Sequence, residues 1–268
     1  MKLLRHPLSL ITACILLFIV ASGALRYAKY EYTIKTTPTL PAAETYTPPS
    51  PILEKPKNPT ATPSPTDTNE PDTSLDGNTL PDEINLSVPF TSQAPHKKWD
   101  LPYKEFCEEA STFMASSYIK GTSIPSPEFA DAELLKIKAF EEQRFGFYED
   151  TNAEQTSIIL KEYFGIDRVK VVYDPTATMI RDAVAHKQLV LVPAEGTLLG
   201  NPHFRHPGPP YHMVVVKGYT KTGQFITNDP GTQFGADYLY APDVLMNAMH
   251  DWNGGDVING KKVILIVG

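Results

Sequence analysis

The chain has 268 residues, 41% hydrophobic and 21% charged, with a net charge of -7. That length allows one sizeable domain plus appendages, and the absence of a basic stripe with interleaved aromatics speaks against nucleic acid as a partner. There are two cysteines, Cys14 and Cys107; Cys14 falls in a hydrophobic segment, so no intramolecular disulfide is expected.

Lys2, Arg5 and His6 precede an almost wholly apolar, uncharged run from Pro7 to Leu25. At about 1.5 Å per residue it nearly spans a hydrocarbon core of ~30 Å. A basic start and an apolar run fit a signal peptide or a signal anchor. Ser22-Gly23-Ala24 offers a small-residue cleavage site, and Arg26 and Lys29 follow it. Ile11-Thr12-Ala13-Cys14 has the form of a lipoprotein box, but the apolar run continues past Cys14. Residues 1–32 are therefore expected to form an uncleaved single-pass membrane anchor, with the remainder outside the cytoplasm. The alternative is secretion after cleavage.

Residues 33–81 are dense in Pro, Thr, Ser, Asp and Asn, as in Asn58-Pro-Thr-Ala-Thr-Pro-Ser-Pro. Such a composition buries too little apolar surface to offset the entropy of ordering. It is expected to be a disordered, semi-stiff spacer.

The folded domain is expected over 82–268. Ile84 to Phe90 alternates and predicts an opening strand. A helix is predicted from Glu105 to Lys120, where Phe106, Ala110, Phe113, Met114 and Ser117 recur at helical spacing. Ser126-Pro127-Glu128-Phe129 predicts the start of a second helix, reaching Arg144. A third is predicted from Asn152 to Phe164, stopped by Gly165. Strands are predicted at Val169–Tyr173, Leu189–Pro193, His212–Tyr219, Gln224–Asp229 and Lys262–Val267. Thr176–His186 predicts a short helix with Met179, Ile180, Ala183 and Val184 inward, and Ala241–Trp252 a last one. Helices first and antiparallel strands later give an α+β pattern.

Cys107 is the candidate nucleophile. At a helix N-terminus a thiol meets unpaired backbone N–H groups and the positive end of the dipole, which favour thiolate. On position alone a lone cysteine is more often an inert buried residue. Glu108 and Glu109 raise the thiol pKa if they point at it; turned away, they simply suit the helix dipole. A turn at Thr220–Thr222 sets His212 opposite Asp229 or its neighbour, so a carboxylate can orient an imidazole whose other nitrogen serves as base. The plainer alternative is a hydrogen-bonded core histidine beside an Asp-Pro-Gly turn. Gln93, between the opening strand and Cys107, is a candidate oxyanion donor. His203, His206 and His212 lack the acidic partner and the fixing helix of a metal site, so no metal and no cofactor are expected.

Val88-Pro-Phe, then Gln93, then Cys107 with Ala110-Ser111, then His212-Met-Val-Val-Val near Gly218-Tyr219, then Asn228-Asp-Pro-Gly together resemble the double-glycine (bacteriocin-processing) peptidase-like family. These are papain-like cysteine peptidases. The resemblance spans about Ile84 to Gly268. It implies a papain-like α+β fold, Cys107 as nucleophile, His212 as base and then acid, Asp229 as orienter and Gln93 as oxyanion donor. The expected partner is a peptide or protein substrate, the expected activity hydrolysis through an acyl-enzyme. Two alternatives stand beside it: an acyltransferase with the same triad, and a non-catalytic papain-like binding module at the cell surface, with an unreactive Cys107. Substrate specificity and oligomeric state are not legible in the sequence.

Overall fold

The computed structural model describes residues 39–45 and 80–268. The predicted anchor over 7–25, and all of 33–81 except residues 39–45 and 80–81, lie outside the described residues. Among the described residues no helix is long and apolar enough to cross a membrane.

The centre of the domain is one sheet, and its hub is the strand His212–Tyr219 (β5), all eight residues of which are buried. On one edge β5 pairs antiparallel with Leu189–Ala194 (β4) over its first part and with Ile84–Leu86 (β2) at Gly218 and Tyr219. On the other edge it pairs antiparallel with Phe225–Asn228 (β6), which pairs in turn with Tyr238–Tyr240 (β7). Beyond β4 come Val263–Val267 (β8) and then Val169–Tyr173 (β3), both antiparallel. Runs such as Leu189-Val-Leu-Val and Val263-Ile-Leu-Ile-Val are Val/Ile/Leu-rich because almost every side chain in them is buried. Gly218 permits the β2–β5 approach: a Cβ there would stand 2.3 Å from the Ile84 carbonyl oxygen. Two residues of the stretch read as linker, Ala43 and Glu44 (β1), add a parallel edge strand to β2. Glu44 also pairs with Lys187.

The helices form where their caps and apolar faces dictate. The first (α1) runs Cys107–Lys120 and ends at Gly121, whose φ of 64° closes it. Ser126 caps the second (α2, Pro127–Phe145) by accepting from the Phe129 N–H, with proline in the first turn. Asn152 and Gln155 make a reciprocal capping box for the third (α3, Ala153–Ile158), which runs on as a π-turn through Ile159–Tyr163. The fourth (α4, Ala177–Ala185) buries Ile180, Ala183 and Val184. Met179, expected inward, is 45% exposed. The fifth (α5) covers only Pro242–Ala248 rather than the predicted 241–252. It stops because Met249 bridges Ala194 and the His250 N–H donates to the Pro193 carbonyl, recruiting this stretch to the edge of β4.

The α1 helix packs on β5, where the Ser111 hydroxyl donates to the Met213 carbonyl across 3.2 Å. The mixed helices and curled antiparallel sheet are the α+β arrangement expected from the sequence. Helix α1 carries Cys107 at its first position, and β5 begins with His212.

Candidate active site

The His212 and Asp229 side chains meet. Nε2 of His212 lies 2.7 Å from Oδ1 of Asp229, and both side chains are essentially closed to water. The contact is as expected, but the register that was to make it is not. Val215 pairs with Asn228 and Tyr219 with Phe225, with a bulge between Val216 and Gly218. The turn also runs further than predicted, with the Thr220 N–H donating to the Gln224 carbonyl. Asp229 therefore lies just past the end of β6 and reaches His212 through its side chain.

Asp229 is held by four donors. Oδ1 accepts from His212 and from the Gly231 N–H at 2.9 Å. Oδ2 accepts from Asn201 Nδ2 at 2.9 Å and from the Tyr240 hydroxyl at 2.6 Å. Burial acts to raise its pKa, but the His212 charge and the hydrogen bonds from His212, Tyr240 and Gly231 outweigh burial, so the carboxyl stays below its ordinary value. An ionised Asp229 accepts only, so the imidazole proton sits on Nε2. Nδ1 is left as the base in the neutral ring. Sequence reasoning missed Asn201 and Tyr240. Neither lies in a motif, and they come from the loop after β4 and from β7.

Cys107 is the first residue of α1 and is 4% exposed. Buried Phe106 fixes the helix start, edge-on to Tyr103 and Tyr148. The hydrogen bond that the structure gives the thiol is not to His212. Sγ donates to Glu108 Oε2 at 2.8 Å. Glu108 and Glu109 are wholly buried, so neither is a solvated residue serving only the dipole. Burial pushes the thiol pKa well up, reinforced by the Glu108 charge and hydrogen bond and then by Glu109 and Asp150. The resting thiol keeps its proton, against the thiolate expected from the helix dipole: desolvation and like charge outweigh the dipole.

Gln93 is placed beside this turn, but its amide points elsewhere than expected. Nε2 donates to the carbonyls of Tyr103 and Lys104, at 3.0 and 2.9 Å, both just ahead of Cys107. Its backbone N–H donates to the Pro230 carbonyl at 3.0 Å, as does the neighbouring Ser92 hydroxyl at 3.2 Å. Gln93 thereby ties the turn that presents Cys107 to the loop that carries Asp229.

Behind the thiol lies a run of buried carboxyls. Both Glu109 oxygens and both Glu141 oxygens lack any partner that donates to a carboxylate. The two side chains, on α1 and α2, are hydrogen-bonded to one another once one is protonated. Burial and the neighbouring charge raise both, Glu141 to about 9. Such a pair holds its protons more tightly than isolated carboxyls do. Burial and the charges of Glu105 and Glu149 lift Asp150 to about 6. Among the described residues no group of His, Cys, Asp and Glu is arranged to hold a metal ion. His203 packs instead against Phe234 and Tyr238. A cavity of about 630 Å³ lies between β3, α4 and the C-terminal residue, lined in part by Arg168, Lys170, Asp182 and Ile266, and none of the candidate residues lines it.

The family model described as "Peptidase_C39 like family" matches residues 85–254, more than half of the chain. The chain belongs to this family. Its membership makes it a C39-like cysteine peptidase by family, in agreement with the double-glycine peptidase-like resemblance of the sequence. Among solved structures, one described as a C39-like peptidase from Bacillus anthracis is similar at 16% identity, with a TM-score of 0.47, covering 69% of this chain and 97% of that one. A prointerpain A fragment from Prevotella intermedia is similar at 14% identity, with a TM-score of 0.34, covering 53% of this chain and 42% of that one. No curated protein matches the chain.

The buried acids make a pH prediction. Glu141 ionises near 4.5 when unfolded and about 9 when folded. Between those values the unfolded chain has released a proton that the folded chain retains, so the stability this group contributes below pH 4.5 is lost as pH rises towards 9. Glu141→Gln removes that loss. The Tm of the variant relative to the wild type should climb between pH 5 and pH 9 in thermal melts, and a constant difference would show that Glu141 titrates normally.

Proposed function

We propose that the chain hydrolyses peptide bonds with a Cys107–His212–Asp229 triad. The observation that carries this reading is the buried, fully hydrogen-bonded Asp229 carboxylate on Nε2 of His212, which leaves Nδ1 as the base. Cys107 passes its thiol proton to Nδ1 and Sγ attacks the acyl carbon, so the ring becomes an imidazolium stabilised by Asp229. The tetrahedral oxyanion collapses as the imidazolium gives its proton to the leaving amine, and an acyl-enzyme remains. Water, deprotonated by His212, releases the acid and restores the thiol. Gln93 is the proposed oxyanion donor, a role in which Nε2 exchanges one of its two carbonyl partners for the oxyanion.

The burial of Cys107 and its bond to Glu108 favour one second reading, a non-catalytic peptide-binding module that keeps the fold. Substitution separates the two. Cys107→Ala and His212→Ala should each lower kcat/KM on a cleaved peptide by about 10³-fold or more. A Cys107→Ala chain that still turns over refutes the triad, and a wild type that cuts nothing favours the binding module.

The domain is further proposed to act outside the cytoplasm, tethered by residues 1–32 and spaced by the Pro-rich stretch. The basic start, the apolar run and the spacer composition support this. The full chain should stay with membranes through an alkaline carbonate wash and a chain lacking 1–32 should be released. Release of both would contradict the tether.

A further inference from the structure

The loop ahead of β5 and the loop after β6 meet in a group of rings that the triad does not use. Phe204 stands edge-on to His212, with centroids 5.1 Å apart and planes at 79°. Gly231 closes on both rings, since a Cβ there would come within 2.8 Å of Phe204 Cε1 and of His212 Cε1. Any side chain at 231 would displace one of them. His203, next in the chain to Phe204, lies 5.0 Å from Phe234 and 6.1 Å from Tyr238. Tyr238 packs 4.8 Å from Tyr240, whose hydroxyl holds Asp229. The rings thus lead outward from the imidazole to Phe234, which at 70% exposure is the most exposed large hydrophobic among the described residues. Single exposed apolar residues are ordinary. This one stands in the loop that begins at the triad carboxylate, backed by a ring that adjoins the base's own aromatic neighbour.

The chemistry says which part of a substrate passes there. In acyl transfer to a thiol, the imidazolium donates to the departing amine. The leaving segment therefore emerges on the His212 side, where these rings stand. An extended peptide advances about 3.3 Å per residue, so rings spaced at 5–6 Å meet the first few residues of that segment.

We propose that His203, Phe204 and Phe234 form a leaving-side subsite that takes a large apolar or aromatic side chain from the first three residues after the scissile bond. The proposal rests on the acyl-transfer reading of Cys107 and His212. Phe204 supplies the wall nearest the bond. Phe234, with His203 behind it, supplies the outer wall and gains a cover that it lacks in the free protein.

The test is cleavage of a randomised peptide pool by the full chain, with the new N-termini read by mass spectrometry. Phe, Tyr, Trp or Leu should be enriched about fivefold or more at one of the first three positions. The enrichment should fall towards none with Phe234→Ser and persist with Phe234→Trp. Phe234 is exposed, so neither change threatens the core. Cleavage without enrichment, or equal enrichment with Phe234→Ser, overturns the subsite and leaves the triad standing. Cleavage that survives Cys107→Ala, or no cleavage by the wild type, overturns the triad and the subsite with it.

Discussion

A carboxylate closed to water stays ionised only where enough donors replace its hydration. Asp229 has four: His212, the Gly231 N–H, Asn201 and Tyr240. Much of this end of the sheet is arranged to bring them together. Asn201 arrives on the loop after β4, His212 opens β5, Asp229 and Gly231 follow β6, and Tyr240 closes β7. One buried charge thus sets how four segments of chain meet at one end of the sheet, and it leaves the imidazole with a free basic nitrogen.

The candidate nucleophile is supported differently. Cys107 depends on a helix start rather than on the sheet, and Gln93 links the two by bonding the turn before Cys107 and the carbonyl of Pro230. Around the thiol the environment opposes charge. Glu108 takes its proton's hydrogen bond, and Glu109 and Asp150 add to the field that opposes its loss. The structure thus sets the His212 imidazole on a satisfied carboxylate, and the Cys107 thiol, at the start of α1, in a buried acidic setting that keeps it neutral. In the proposed reaction, ionisation of the thiol is coupled to proton transfer to His212 rather than completed beforehand.

Much of this was legible in the sequence because periodicity and capping are local. Ser126-Pro127, Asn152 with Gln155, and the apolar strand at Val169–Tyr173 fall where the pattern set them. The His212–Asp229 pair was legible too, although through a register that the bulge after Val216 and the longer turn shift. What could not be read was long-range. Nothing local marks Asn201 or Tyr240 as partners of Asp229, nor tells that Met249 pairs with Ala194 and ends α5 early. Glu108 and Glu109 look like ordinary first-turn acids, and only the packing of α1 against α2 and the Asp150 loop encloses them. The resemblance named the candidate triad residues, but it did not carry the acidic surroundings of the thiol.

The most direct measurement is the rate at which iodoacetamide alkylates Cys107 in the folded full chain from pH 5 to pH 10, followed by peptide mapping so that Cys14 is scored separately. A working Cys–His pair predicts labelling of the folded chain that drops at least tenfold in His212→Ala and rises in Glu108→Gln, which removes the carboxyl that takes the thiol's hydrogen bond. Labelling that begins only on unfolding, or that ignores His212, would contradict the account and leave Cys107 as a packed structural thiol.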